Sequence, residues 1–161
     1  MPARKSVQRF LDNIRELVRK NRATSTAELI VQLNPRIMGW ANYYRHGVAK
    51  STYSYVDTQI FTTIWRWIKR RHPGKNTQWL RKKYFRSQGF RNWIFYAKIP
   101  VTDSSKSPFL DLTRASKTSI KRHVKIRGDA SPYDPAYREY FAKRALCQKI
   151  TLRETGSDNW P

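Results

Sequence analysis

The stretch Thr52–His72, TYSYVDTQIFTTIWRWIKRRH, decides the fold class. At about 100° per residue, Tyr53, Val56, Ile60, Ile64, Trp67 and Ile68 fall on one arc, while Thr62, Arg66, Lys69 and Arg70 fall on the opposite one. The spacing predicts a helix whose apolar side faces a core and whose basic stripe faces outward. Pro73 and Gly74 follow and stop it.

Upstream, Val7, Phe10, Leu11, Ile14, Leu17 and Val18 recur at three- and four-residue spacings, which predicts an amphipathic helix with Ser6 as its N-cap. Ser25 and Glu28 have capping-box spacing ahead of Leu29, Ile30 and Leu33. Asn34 followed by Pro35 reads as a fresh N-cap with Pro at the first helical position, so a short separate helix is expected from Pro35, burying Ile37, Trp40, Ala41 and Tyr44 and closing at Gly47. Downstream, Asn76 or Thr77 caps a short helix through Trp79, Leu80 and Lys83. From Phe90 the period changes: Trp93–Ile99 reads as a strand ended by Pro100, Thr102–Pro108 as a linker, and Ile120–Ile126 as a second strand. Asp134 and Pro135 open a last helix through Tyr137, Tyr140 and Phe141. The expected architecture is mainly α: a helical bundle over residues 1–88, a small α+β appendage over 89–150 and a mobile tail over 151–161.

Charge narrows the function. Lys plus Arg number 33 against 11 Asp plus Glu, a formal net charge of +22, and the isoelectric point is near 10.7. Between Asp57 and Asp103 stand eleven Lys or Arg and no carboxylate, with Trp65, Trp67, Trp79 and Trp93 among them. Solvated faces usually alternate in sign and are poor in Trp. Cations without internal counter-charges repel one another, so this pattern points to an external polyanion such as a phosphate backbone. No long apolar run and no signal-peptide core follow Met1, so no membrane partner is expected. The lone Cys147 forms no internal disulfide and fits a reducing compartment, a bacterial-type cytoplasm or an organelle.

Three separated strings carry a more specific signal. Leu33-Asn34-Pro35-Arg36-Ile37-Met38-Gly39-Trp40-Ala41-Asn42-Tyr43-Tyr44-Arg45, then Trp65-Arg66-Trp67-Ile68-Lys69-Arg70-Arg71-His72-Pro73-Gly74-Lys75, then Trp79 through Lys83-Tyr84-Phe85, resemble in order the maturase-specific region of group II intron reverse transcriptases, also called domain X or the thumb. The likeness spans roughly Ser6 to Arg144, because Lys125–Ala130 and Pro132–Pro135 resemble the segment after the thumb. Met38 stands where the family commonly has Arg, so phosphate contact at that turn is not carried over.

The resemblance implies a thumb-like helical bundle that grips group II intron RNA and helps it reach its splicing-competent fold, followed by a segment that contacts target DNA. It implies no cofactor and no catalytic residue here: none of the acids are adjacent, as a two-metal polymerase palm would need, and no CxxC pair marks an HNH nuclease. The expected RNA-contacting residues are Arg66, Lys69, Arg70, Arg71, His72, Lys75, Arg81, Lys82 and Lys83, followed by Arg36, Arg45 and Lys50. Trp65 sits at the edge of the apolar arc, where base stacking and core packing stay open, whereas Trp40 and Trp67 read as core. His46, His72 and His123 lack metal-ligand spacing. Two other functions remain: a thumb subunit working with a separate palm-containing polypeptide, and a remnant that binds nucleic acid non-specifically.

Overall fold

The computed structural model describes residues 2–47, 49–99, 108–121 and 125–154, with side chains through residue 146. The chain forms two compact units, Met1–Arg122 and His123–Pro161. In the first, α1 (Arg4–Lys20), α2 (Thr26–Tyr43), α3 (Lys50–Arg71) and α4 (Thr77–Tyr84) precede β1 (Phe85–Gln88), β2 (Arg91–Lys98) and β3 (Phe109–Asp111). The second holds α5 (Arg138–Glu154). The mainly α fold with a small α+β C-terminal portion is as the sequence predicts.

The predicted stripe of α1 is buried in full, from Val7 to Val18. Ser6 is not its cap: the helix begins at Arg4 behind Ala3, and Ser6 Oγ instead shares a 2.6 Å hydrogen bond with Tyr44 Oη. Helix α2 opens on the expected capping box, Ser25 Oγ accepting from Glu28 N–H while Ser25 N–H donates to Glu28 Oε2, each at 3.2 Å. It then runs unbroken through Pro35, so the separate helix expected there does not exist. An interior proline removes one backbone hydrogen bond and disfavours the helix by about 3 kcal/mol. Continuity prevails because Leu29, Ile30, Leu33, Ile37 and Ala41 lie fully buried on a single stripe, and each large aliphatic side chain buried adds about 1.5–3 kcal/mol. Helix α3 meets this core with the predicted arc, Tyr53, Val56, Ile60, Ile64, Trp67 and Ile68. The buried Tyr53 hydroxyl donates to Ala41 O at 2.6 Å, and Trp40 stacks on Phe10 at 4.8 Å.

Helix α4 is capped by Asn76, whose Oδ1 accepts Trp79 N–H at 2.9 Å, and passes directly into β1. The expected strand near Trp93 is β2; β1 and β3, which sequence reading did not foresee, flank it antiparallel in the order β1-β2-β3. Gly89 makes the β1–β2 turn with φ +55°, a backbone state that glycine enters without a steric penalty. Phe85 pairs with Phe95, Arg86 with Ile94 and Gln88 with Arg91, so β2 carries an extra residue in a bulge, where Trp93 has φ +61°. Phe85, Phe95 and Ala97 join the same hydrophobic cluster as the three long helices. That shared core is why the compact unit continues past residue 88, the expected domain boundary, which falls at the end of β1.

Across the middle strand, Arg86 grips Asp111, Nε to Oδ1 at 2.8 Å and Nη2 to Oδ2 at 2.5 Å. Residues 120, 121, 125 and 126 are not strand, in contrast to the expected second strand; the remaining residues of that stretch lie outside the described ones, as does most of the expected linker over 102–108. In the second unit, Asp134 Oδ1 accepts Ala136 N–H at 3.0 Å above a single 3-10 turn, Pro135–Tyr137, that leads into α5. Arg144 donates to Lys125 O at 3.2 Å and Tyr140 Oη accepts Arg127 N–H at 3.2 Å. Helix α5 reaches Glu154, four residues into the segment expected to be a tail; residues 155–161 lie outside the described ones. Among the described residues, no helix is long and apolar enough to cross a membrane.

Candidate nucleic-acid interface

The outward stripe of α3 does not face open solvent alone. Helix α1 packs beside it, and the two leave a groove of about 760 Å³ lined by Arg15, Arg19, Arg22, Arg66, Arg70 and Arg71. Asp12 and Glu16 line it too, but both are engaged: Asp12 pairs with Arg15 at 2.8 Å and Glu16 with Lys20 at 2.8 Å. The Lys20 ammonium holds the Glu16 carboxyl below its ordinary pKa, through its hydrogen bond first and its charge second. Arg19, Arg22, Arg66 and Arg70 make no hydrogen bond or ion pair with any described residue. Four guanidiniums lining one groove raise the local potential and favour an anion there.

The end of α3 and helix α4 form a second basic surface around Trp79, which is 37% exposed. Lys83 Nζ lies 4.7 Å and Lys75 Nζ 5.5 Å from the Trp79 ring centroid, and the His72 ring meets it edge-on at 5.0 Å. Lys82 and Lys83 also line a recess of about 760 Å³ that runs past Arg71 and Lys98 to the start of α2. His72 Nε2 lies 2.7 Å from Tyr84 Oη. Burial, reinforced by Lys83, Arg71 and Lys75, depresses the His72 pKa, so the ring favours its neutral form at this helix end. Arg81 lies over Trp93 at 4.9 Å and Lys69 over Trp65 at 5.7 Å.

Several residues expected to meet RNA have structural partners. Lys50 Nζ donates to Ser116 O at 2.9 Å and Thr118 O at 3.0 Å, tying the turn after β3 to the start of α3. Arg71 donates to Thr24 O at 2.7 Å and Ala23 O at 3.2 Å while lying over Trp67 at 4.7 Å. Arg36 donates to Gln32 O at 2.6 Å and lines a different hollow, between α1 and α2. Arg45 is half-buried. Trp65 packs among Phe61, Phe85 and Trp93, which places it on the core side of the two readings left open. Trp67 is 5% exposed, and its Nε1 donates to Asn21 O at 2.9 Å.

Sequence reading missed Arg15, Arg19 and Arg22. Arg15 and Arg19, four residues apart, share one face of α1, and Arg22 follows in the turn after it, but only the packing of α1 against α3 turns these positions into a groove wall. Among the described residues no three His, Cys, Asp or Glu side chains gather as they would around a metal ion; His123 lies outside the described residues.

No curated protein matches the chain. Residues 7–85 match the family model described as the group II intron, maturase-specific domain. The arginine groove and the Trp79 surface are built mainly from that span, and over residues 7–85 the chain is similar to the maturase-specific domain of group II introns.

Proposed function

We propose that this protein binds group II intron RNA through phosphates seated in the α1–α3 groove and along the Trp79 surface, and that it assists folding and splicing by lowering the repulsion between crowded RNA helices. The observation that carries this reading is the set of arginines without a hydrogen bond or close ion pair among the described residues, Arg19, Arg22, Arg66 and Arg70, lining one groove within the span that matches the maturase-specific domain. Each phosphate neutralised releases condensed counterions, which supplies affinity without any reaction on the protein. Lys69, Lys75, Lys82, Lys83 and Arg81 extend the cationic surface, and Trp79 offers a ring on which an unpaired base can stack.

The RNA performs the chemistry under this reading. The described acids of the first unit all have partners: Asp57 has backbone N–H groups, Asp111 has Arg86, Glu28 has the Ser25 N–H, and Asp12 and Glu16 have their ion pairs. The test is splicing of a group II intron at low Mg²⁺, with and without the protein, comparing parent with the Arg19→Gln/Arg22→Gln/Arg66→Gln/Arg70→Gln variant. Stimulation that the variant loses supports the proposal. Equal stimulation by both proteins, or none by either, refutes it.

A further inference from the structure

Between α3 and the sheet lies a second recess, of about 350 Å³, that shares no lining residue with the arginine groove. Its wall is aromatic: Phe61 and Trp93 meet edge to face, with ring centroids 6.3 Å apart and planes at 79°, forming a corner, and Arg81 lies over the Trp93 ring at 4.9 Å. Phe61 is 38% exposed although it belongs to a ring cluster. Two guanidiniums stand on the rim, Arg91 and Arg114, and neither has a hydrogen-bond or ion-pair partner among the described residues. Asp57 also lines the recess, but its oxygens accept N–H groups from Ala115 at 2.8 Å and Ser116 at 3.1 Å. Those bonds, with the Lys50 bonds to the same turn, fix the segment that carries Arg114.

The backbone gives this corner further meaning. Trp93 has φ +61° within the β2 bulge, a left-handed state that non-glycine residues rarely hold. A bulge re-aims the side chain it carries, and residues held in sparsely populated backbone states concentrate at binding sites. Here the re-aimed side chain is one arm of the aromatic corner.

We propose that this recess captures one unpaired nucleotide of a bound RNA, its base stacked on the Phe61–Trp93 corner and its phosphate held by Arg91 and Arg114. The inference rests on the reading of the protein as an RNA binder and adds a site outside the groove. A base inside a duplex is covered by its neighbours and cannot enter, so the occupant is a bulged or looped nucleotide. Aromatic walls supply stacking to any base, and the two rim arginines supply N–H donors and a net positive charge for a phosphodiester.

The experiment compares a flush RNA duplex with the same duplex carrying one bulged 2-aminopurine, measuring affinity and 2-aminopurine emission. The bulged RNA should bind roughly tenfold tighter, as expected for one stacked base, with its emission quenched. The Arg91→Gln/Arg114→Gln variant should lose the preference and the quenching, as should Phe61→Leu. The arginine pair lies on the rim, so it decides the matter if Phe61→Leu unfolds the sheet. An Arg19→Gln/Arg66→Gln variant of the groove should weaken both RNAs alike and keep the preference. Equal affinity for the two RNAs, binding of neither, or a preference that survives the arginine variant overturns the proposal. If the groove variant changes nothing while the bulge preference persists, the groove reading fails and the recess stands.

Discussion

Asn34 in helix α2 and Thr113 beyond β3 are joined directly: Asn34 Oδ1 accepts the Thr113 N–H at 2.9 Å, and the same side chain donates from Nδ2 to Asp111 O at 3.0 Å. One amide thus satisfies two backbone groups, one at the end of the last strand and one just past it. Asn34→Ala leaves both without their partner in a partly buried place, so it should lower stability by about 1–3 kcal/mol. Asn34→Asp keeps the acceptor but loses the donor, and should fall between. Urea melts of the three proteins check the order, and an alanine variant as stable as the parent would show that water replaces the clamp.

The two faces of α3 should separate in the same kind of measurement. Trp67 is buried against Tyr84 and Phe95 and donates to Asn21 O, so Trp67→Ala should cost about 3–5 kcal/mol. Arg66, Lys69 and Arg70 are exposed, and their joint replacement by Gln should move the melting temperature little while weakening RNA binding. Unfolding of the triple variant would mean that these cations hold the fold.

How far the sequence could be read depended on whether a feature was local. The stripes of α1 and α3 were legible because every buried residue recurs at helical spacing within one segment. Asn34-Pro35 misled because its local preference is a helix start; the partners of Asn34 are 77 and 79 residues away, and local pattern does not contain them. Strand β1, FRSQ, has no alternation of its own and exists through its pairing with β2. The groove was half legible: the basic stripe of α3 was visible, whereas the arginines of α1 and of the turn after it gained a role only from the neighbour they pack beside.

That groove gives a quantitative expectation. With on the order of six phosphates contacted, the log of affinity should fall with log salt at a slope of about 4–5, since each contact contributes roughly 0.7–0.9. Each Gln introduced at Arg19, Arg22, Arg66 or Arg70 should reduce that slope by a little under one. Filter binding across several salt concentrations measures it. A parental slope below about 2 would mark the cluster as a solvated face.

His72 should make the protein sensitive to mild acid. Its folded pKa lies below the ordinary 6.5 because of burial first, then Lys83, Arg71 and Lys75. The unfolded chain therefore takes up the proton first, so stability falls as pH drops through about 6.5 and stops falling once the folded ring is also protonated. His72→Asn should flatten the thermal stability between about pH 7 and 5.5, above the range of ordinary carboxylates. A bound phosphate near Lys75 and Lys83 would offset their repulsion of the imidazolium, so RNA binding should raise the pKa of His72. Its ring-proton titration by NMR, free and with RNA, reads both effects; a pKa that RNA leaves unchanged would place the phosphates elsewhere.

The last expectation concerns chemistry. In the first unit each described carboxylate is held by a cation or by backbone N–H groups, Glu28 by the Ser25 N–H of the α2 capping box, which leaves no pair of described carboxylates there free to share a metal. The purified protein should therefore neither extend a primer nor cut DNA with Mg²⁺ or Mn²⁺, while it stimulates splicing of a matching group II intron. A palm-containing partner added to the same assay tests the split-enzyme alternative. Primer extension that appears only in the mixture, and disappears when Lys82 and Lys83 on the exposed side of α4 are changed to Glu, would make this chain the thumb of a two-part polymerase. Extension by the chain alone would require an acidic centre that the described residues do not form, and would overturn the reading in which the RNA supplies the catalysis.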